Sequence, residues 1–264
     1  ATENRNDNRT VLHSAASITI NVQDLPEPIG EYGLSFDGSD DFISIADDES
    51  LTSSNALTIS AWFKKTSGSS WMGILQKGTS DADEEYSLLV KDGEVYFDVG
   101  NSGGPYIQQS AEVTPETWHH IAAVHTRSGN SSTLKVYLNG EDVGGSTING
   151  SNSPNDNNHP LKIGSRNASS VNQPFKGQID DVQIWKKALT ESEIKDRMYR
   201  PIDQTDSLWS DLSGYYRMDW GQGTTAYDYS ANANGGSLNN GPEWVKAYSW
   251  ERGLVAHYAL DGSA

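Results

Sequence analysis

The chain is cut almost throughout into short runs in which apolar and polar residues alternate, and clusters of Gly, Asn, Asp and Ser separate the runs. A period of two sends successive side chains to opposite faces of an extended strand, so the pattern predicts an all-β sandwich whose strands bury one side. Strands are expected near 34–37, 42–45, 57–64, 73–77, 86–90, 94–99, 118–126, 133–138, 161–164 and 178–185. In LTISAWFK, Leu57, Ile59, Ala61 and Phe63 share one face while Thr58, Ser60, Trp62 and Lys64 take the other. Lys91-Asp92-Gly93 and Asn139-Gly140 carry hairpin chemistry, which makes neighbouring strands antiparallel. One short segment near 190–199, TESEIKDRMY, reads as a helix, with Thr190 as N-cap, Glu193 at the capping-box position, and Leu189 and Ile194 placed as a hydrophobic staple.

Composition narrows the function classes. A length of 264 residues is ample to bury a core without disulfides or a structural metal, and the absence of Cys excludes disulfide scaffolds and thiolate metal sites. Asp and Glu number 36 against 19 Lys and Arg, a formal charge of −17 that repels a phosphate backbone, so nucleic acid and anionic membranes are not expected partners. No run approaches the roughly 18 uncharged apolar residues of a spanning helix, so direct membrane insertion is not expected either. The missing Cys is consistent with export.

Motifs of catalysis fail on their context. Gly100-Asn101-Ser102-Gly103-Gly104 fits G-x-S-x-G, but Pro105 follows where a nucleophile elbow needs a helix. Gly221-Gln222-Gly223-Thr224-Thr225-Ala226 fits a dinucleotide fingerprint without helical periodicity behind it. His119, His120 and His125 lie on one strand without a defined third zinc ligand.

From Gly33 to about Val245 the chain resembles the laminin-G-like, concanavalin A-like lectin and glucanase family. The pieces are LSFDGSDDFISI, LTISAWFK, GILQKG, ETWHHIAAVHT, TLKVYLNGEDV, LKIGSR and GQIDDVQIWKKALTESEI, in the family's order; GYYRMDWGQGTTAYDYSANANGGSLNNGPEWV resembles a C-terminal segment of bacterial secreted members. The resemblance implies a two-sheet antiparallel jelly roll, often with a structural calcium, devoted to adhesion or glycan binding. Some relatives are glycosidases with an E-I-D-x-x-E strand, but here Gln178-Ile179-Asp180-Asp181-Val182-Gln183 places an amide at each catalytic position, and an amide neither attacks a sugar nor donates a proton usefully, so no enzyme is expected. SITINVQDLPEP, within 1–29, resembles the last strand and linker of a cadherin-like repeat, the jelly roll is expected over 30–247, and 248–264 resembles the opening of a following domain.

Calcium takes hard oxygen ligands, and clustered Asp with Gly and Asn supplies them. FDGSDD offers Asp37, Gly38, Asp40 and Asp41, and QIDDVQIW offers Asp180 and Asp181. Asp180 shares alternation parity with Val182 and Ile184, which aims it inward, and the resemblance brings the two motifs together as one expected Ca2+ site. Asp228, with Asn232 and Asn234, is a second oxygen-rich candidate. For a ligand, lectin sites pair aromatic platforms with planar polar groups, which selects Trp71, Tyr86 and Tyr106 and the loop residues Asn155, Asp156 and Asn158. The expected protein is a non-catalytic, calcium-stabilised, lectin-like module, monomeric within a longer secreted or cell-surface chain, whose partner is a glycan or an extracellular surface protein. A structural spacer or protein-interaction module is the alternative, with a glycosidase accessory domain behind it.

Overall fold

The computed structural model describes residues 30–52, 55–67, 70–78, 83–100, 106–149, 156–166 and 173–247. The flanking segments expected within 1–29 and 248–264, residues 101–104 of the G-x-S-x-G match, and Asn155 lie outside the described residues. In chain order the strands are β1 (Tyr32–Asp37), β2 (Phe42–Ile45), β3 (Ala56–Lys65), β4 (Met72–Gly78), β5 (Glu84–Lys91), β6 (Glu94–Val99), β7 (Tyr106–Ser110), β8 (His119–Ser128), β9 (Ser131–Leu138), β10 (Glu141–Asn149), β11 (Leu161–Ile163), β12 (Lys176–Trp185), β13 (Leu212–Tyr216), β14 (Thr225–Ala226), β15 (Gly236–Asn239) and β16 (Glu243–Lys246). The helix α1 (Glu191–Arg197) falls between β12 and β13.

The strands pair antiparallel into two sheets. The first runs β10-β9-β8-β3-β12-β1-β16, with β13 also on β12, and the second runs β14-β15-β2-β11-β4-β5-β6-β7. Alternation does the packing: Leu34, Ile59, Phe63, Ile121 and Ile179 of the first sheet meet Ile43, Leu75, Leu88, Phe97 and Ile163 of the second in one buried cluster. Both expected hairpins form, and Asp92 (φ 50) with Gly93 (φ 80) and Asn139 (φ 51) with Gly140 (φ 82) take the paired left-handed conformations that suit the strand twist. The ten strands expected between 34 and 185 are present, and among the described residues the sequence reading missed β7, β10 and β13 to β16.

One expectation is corrected by β12. Asp180 pairs with Trp62 and Gln183 with Ser60, so β12 spends one residue more than β3 over this stretch, and the extra residue Asp181 takes φ 51. The bulge breaks the alternation. Ile179, Val182 and Ile184 all reach the inner core, while Gln178, Asp180, Gln183 and Trp185 face outward. Asp180 is buried as expected, but beneath an outer layer and not between the sheets.

That layer is α1 with the chain that follows it. Leu189, Ile194, Ile202 and Leu212 cover Ala122, Val124, Tyr137 and Trp185 on the outer face of the first sheet, and the indole of Trp62 donates to the Met198 carbonyl at 3.0 Å. The helix is short, so its cap matters. Thr190 Oγ1 accepts from Glu193 N while the Glu193 carboxylate accepts from Thr190 N, the full capping box, and the two staple residues share one buried cluster. Thr190→Ala is expected to cost about 1 kcal/mol, read as a fall of about 2–4 °C in Tm, and an unchanged Tm would show that the helix docks without its cap.

Candidate functional site

The outward residues of the second sheet are buried at its centre, where Gln76 and Ser87 are 0% exposed, and reach the surface toward its edges. Register places a continuous row across all eight of its strands: Thr225, Ser237, Ser44, Lys162, Gln76, Ser87, Asp98 and Tyr106 stand opposite one another in turn. Each lies next in sequence to an inward residue such as Ile43, Leu75, Leu88 or Phe97, so the row faces outward. At its centre Gln76 Nε2 donates to Glu84 Oε1 at 3.0 Å, Arg166 reaches Glu84 Oε2 at 3.5 Å, and Ser87 Oγ donates to Asp98 Oδ2 at 3.3 Å. The Lys162 ammonium sits 4.0 Å from the Phe42 ring centroid, and burial lowers its pKa. The row ends at Tyr106, which is 64% exposed.

An aromatic pair adjoins that end. Trp71 packs on Tyr96 with ring centroids 4.2 Å apart, and the Lys91 ammonium lies 5.0 Å from the Trp71 ring. Tyr96 stands opposite Gln108, so Tyr106 is its diagonal neighbour at about 7–8 Å between backbones. The Tyr96 hydroxyl donates to Glu94 Oε2 at 2.7 Å, and burial together with that carboxylate pushes the phenol up to about 12, so it stays a neutral donor. Two of the expected ligand contacts, Trp71 and Tyr106, thus share one face. Tyr96, Gln108 and Asp98 join them; the sequence reading passed over these, although the alternation Glu94-Val95-Tyr96-Phe97-Asp98-Val99 marks them as outward.

Tyr86 is corrected. Its ring is fully buried in the core and its hydroxyl donates to the Leu51 carbonyl at 2.8 Å, because β5 turns it inward with Leu88 and Val90. Asp156 and Asn158 are exposed but stand elsewhere. The buried Lys77 binds the carbonyls of Asn157 and His159 at 3.2 and 3.1 Å, six residues along β4 from Trp71, a distance of about 20 Å.

The single calcium site expected from two motifs is also corrected. Asp37 lies opposite Lys176 on β12, four residues from Asp180, which is about 13 Å. Among the described residues Asp37, Asp40 and Asp41 do converge, with carboxylate oxygens within 4.8 Å of one another. Asp41 Oδ2 accepts from Asp37 N and Asp37 Oδ1 from Ser39 N, the bonding that holds an acidic turn without an ion. Gly38 serves that turn, with φ 81 and no room for a Cβ against Lys176. Asp228 is committed as well: Oδ1 accepts from Tyr215 N and Ser230 N, and Oδ2 from Asn234 N and Ser230 Oγ. It is a bracket between β13 and its neighbouring turn, and its oxygens are not left open for a metal.

Asp180 and Asp181 stand apart, on the outer face of the first sheet beneath the covering layer. Asp180 Oδ1 accepts from Asp181 N at 2.8 Å and Asp180 Oδ2 has no hydrogen-bond partner, while Tyr215 and Gln183 approach the Asp181 carboxyl. Burial raises Asp180 well above the usual carboxylate range and pushes Asp181 up to about 7, the pull of Tyr215 and Arg217 offsetting only part of it.

A family model described as the concanavalin A-like lectin/glucanases superfamily matches residues 37–195. The chain belongs to that superfamily. Among solved structures, a protein of Bacteroides ovatus assigned to carbohydrate binding superposes with TM-score 0.61 at 20% identity, over 83% of this chain and 60% of its own, so the present chain spans less than two thirds of that relative. A heptameric SAP-like pentraxin from Limulus polyphemus gives TM-score 0.52 at 20% identity, over 72% of this chain and 92% of its own. The CBM40 module of a Ruminococcus gnavus IT-sialidase, bound to α2,3-sialyllactose, gives 0.51 at 17% identity, over 63% and 96%. No curated protein sequence matches the chain. Likeness at these identities establishes the fold; one of these structures is assigned to carbohydrate binding and another is bound to a sialylated sugar.

Against that family background the glycosidase look-alike has a plain outcome. The bulge does place Gln178 and Gln183 on one outward face, but Gln183 Oε1 accepts from the Trp185 indole at 3.2 Å and the residue is 3% exposed. The histidines are structural too. His119 Nε2 accepts from Thr114 N at 3.0 Å, and His120 packs against Trp62 at 5.3 Å with its pKa lowered by burial to about 3. An unfolded chain takes up the proton that folded His120 refuses, so stability falls as pH drops from about 6.5 toward 3, by up to about 1.4 kcal/mol per pH unit. His120→Leu removes this loss, so its Tm relative to wild type is expected to rise between pH 7 and pH 5; a constant difference would mean that His120 charges freely in the fold.

Proposed function

We propose that the protein is a non-catalytic carbohydrate-binding module of a secreted or cell-surface chain, serving adhesion, and that its sugar surface is the outer face of the second sheet around Trp71, Tyr96 and Tyr106. The observation that carries this is the aromatic pair Trp71 and Tyr96 beside the exposed Tyr106 and the outward Gln108 and Asp98, at the edge of the sheet. Pyranose rings stack their C–H faces on aromatic rings and spend their hydroxyls on planar amides, carboxylates and cations; Gln108, Asp98 and Lys91 supply those groups. The carbohydrate-binding Bacteroides protein and the sialyllactose-bound module support the reading by fold. A formal charge of −17 favours neutral sugars over anionic polysaccharide.

A glycan array followed by titration of the bound sugar tests it. Trp71→Ala and Tyr106→Ala are each expected to weaken binding about tenfold, equivalent to about 1.4 kcal/mol, with Tm unchanged for the exposed Tyr106. Tyr86→Phe, which removes the buried bond to Leu51, is expected to lower Tm and leave the affinity intact. Binding to no glycan would replace this reading with that of a spacer or protein-interaction module, and binding unaffected by both aromatic substitutions would move the site off this face.

A further inference from the structure

A second group of exposed aromatic rings lies away from Trp71 and Tyr106. Among the described residues the exposed large apolar side chains are Tyr106, Tyr199, Trp220, Tyr227 and Tyr229, and every one is a Tyr or a Trp. Three of them fall in one ten-residue stretch, 220–229, on the chain between β13 and β15. Alternation turns Tyr227 and Tyr229 outward together, flanked by the buried Ala226 and Ser230. Trp220, 52% exposed, meets Tyr227 edge to face with ring centroids 5.2 Å apart, and the Arg217 guanidinium stands 5.3 Å from the Tyr229 ring. Single exposed rings are common on a surface, whereas a contiguous group of them marks a place of contact.

The backbone beneath these rings is pinned from several sides. Ala226 pairs with Gly236 in the second sheet while Asp228 bridges to Tyr216 in the first, so the segment lies across the edge of the sandwich. The Asp228 carboxylate takes its four hydrogen bonds from Tyr215, Ser230 and Asn234, and Tyr229 N donates to the Tyr215 carbonyl at 2.8 Å. The loop that carries Trp220 is fixed as well. The Trp244 indole donates to the Gly223 carbonyl at 2.8 Å, and Gly221, at φ 72, passes the Tyr32 ring so closely that a Cβ would overlap it. Rings held out on so constrained a backbone lose little freedom when a ligand arrives, which is what a preorganised site requires.

We infer that Trp220, Tyr227 and Tyr229 form a second platform for neutral glycan chains, at the opposite edge of the second sheet from Tyr106. This rests on the carbohydrate-binding reading and extends it from one site to two. β14 and β7 are the two ends of that sheet, seven strand spacings or roughly 34 Å apart along it, so a short oligosaccharide meets one edge at a time. Rings with polar tips suit the C–H faces and hydroxyls of pyranoses. No exposed Phe, Met or Leu joins them among the described residues, as the core of a protein interface would bring. Arg217 is paired with Asp219 at 2.6 Å, and the two charges cancel beside the rings, which favours an uncharged ligand. The platform lacks the outward amide and carboxylate that Gln108 and Asp98 bring to the first edge, so it is the weaker site. Its contribution appears on polymers, where two engagements combine.

The test uses the full 264-residue chain, isotope-labelled, with the indole N–H signals of Trp71 and Trp220 assigned from Trp71→Phe and Trp220→Phe, so that each edge has its own reporter. The probes are the neutral tetrasaccharides of cellulose, xylan and mannan, and the parent polysaccharides immobilised on a sensor surface. The expected result is that one tetrasaccharide moves both signals along separate saturation curves, the Trp71 curve being the tighter. Tyr227→Ala is expected to weaken the Trp220 response about tenfold and leave the Trp71 curve in place. Trp220→Ala is expected to weaken binding to the polymer by at least about tenfold while the tetrasaccharide still saturates the Trp71 edge as before. Movement of Trp71 with Trp220 still overturns the second platform and leaves the first site standing. Movement of Trp220 alone upholds the platform and overturns the placement of sugar at Trp71. No movement of either signal with any probe overturns both, and a steep fall in Tm in Trp220→Ala would then assign the rings to packing within the chain.

Discussion

A carboxyl in a place closed to water is among the costliest elements of a fold, and in this protein two lie side by side at the bulge of β12, their pKa values raised by burial. The rest of the first sheet is arranged about that strand. β12 pairs with β3 along most of its length, with β1 at its start and with β13 at its end, so three separate parts of the chain meet on it. A regular strand would carry Val182 and Ile184 on the same face as Asp180. The bulge puts the apolar residues into the core and leaves the carboxylates outside, at the cost of one strained residue.

The same strand decides which surface is available. Trp185 and Trp62 make the outer face of the first sheet apolar, and α1 with the chain that follows it covers them. Cleft chemistry of the glycosidase kind would need that face open to a sugar, whereas here Trp185 and Gln183 are buried under the covering layer and the Gln183 amide oxygen is held by the Trp185 indole. The second sheet is built differently. Its outward positions are Ser, Lys, Gln, Asp and Tyr, in register from strand to strand, buried at the centre and exposed toward Tyr106.

Much of this was legible in the sequence. Period-two alternation located the core strands, Asp92-Gly93 and Asn139-Gly140 fixed two hairpins, and Thr190 with Glu193 marked the helix start, because each depends on chemistry local to a few residues. β10 escaped because EDVGGSTIN, a largely exposed edge strand with two glycines, carries little alternation, and β13 to β16 because strands of two to five residues rarely show any. The site was harder. Trp71 and Tyr106 come together only through Tyr96, on a register that no single segment encodes. Parity misplaced Asp180 because one inserted residue flips every side chain beyond it, and the Asp37 and Asp180 motifs, adjacent in pairing strands, are kept about 13 Å apart by their offset along them.

The central claim is that sugar meets the Trp71, Tyr96 and Tyr106 edge of the second sheet and not the covered outer face of the first. Amide and side-chain NMR shift mapping, with the best glycan from an array added to the full chain, addresses it directly. Perturbations strongest in β5, β6 and β7 and centred on Asp98, Tyr96 and Tyr106, with Gln178, Gln183 and Trp185 unmoved, are what the account predicts. Perturbations centred on β12 and α1 instead would contradict it, since a sugar could reach them only by displacing the covering layer.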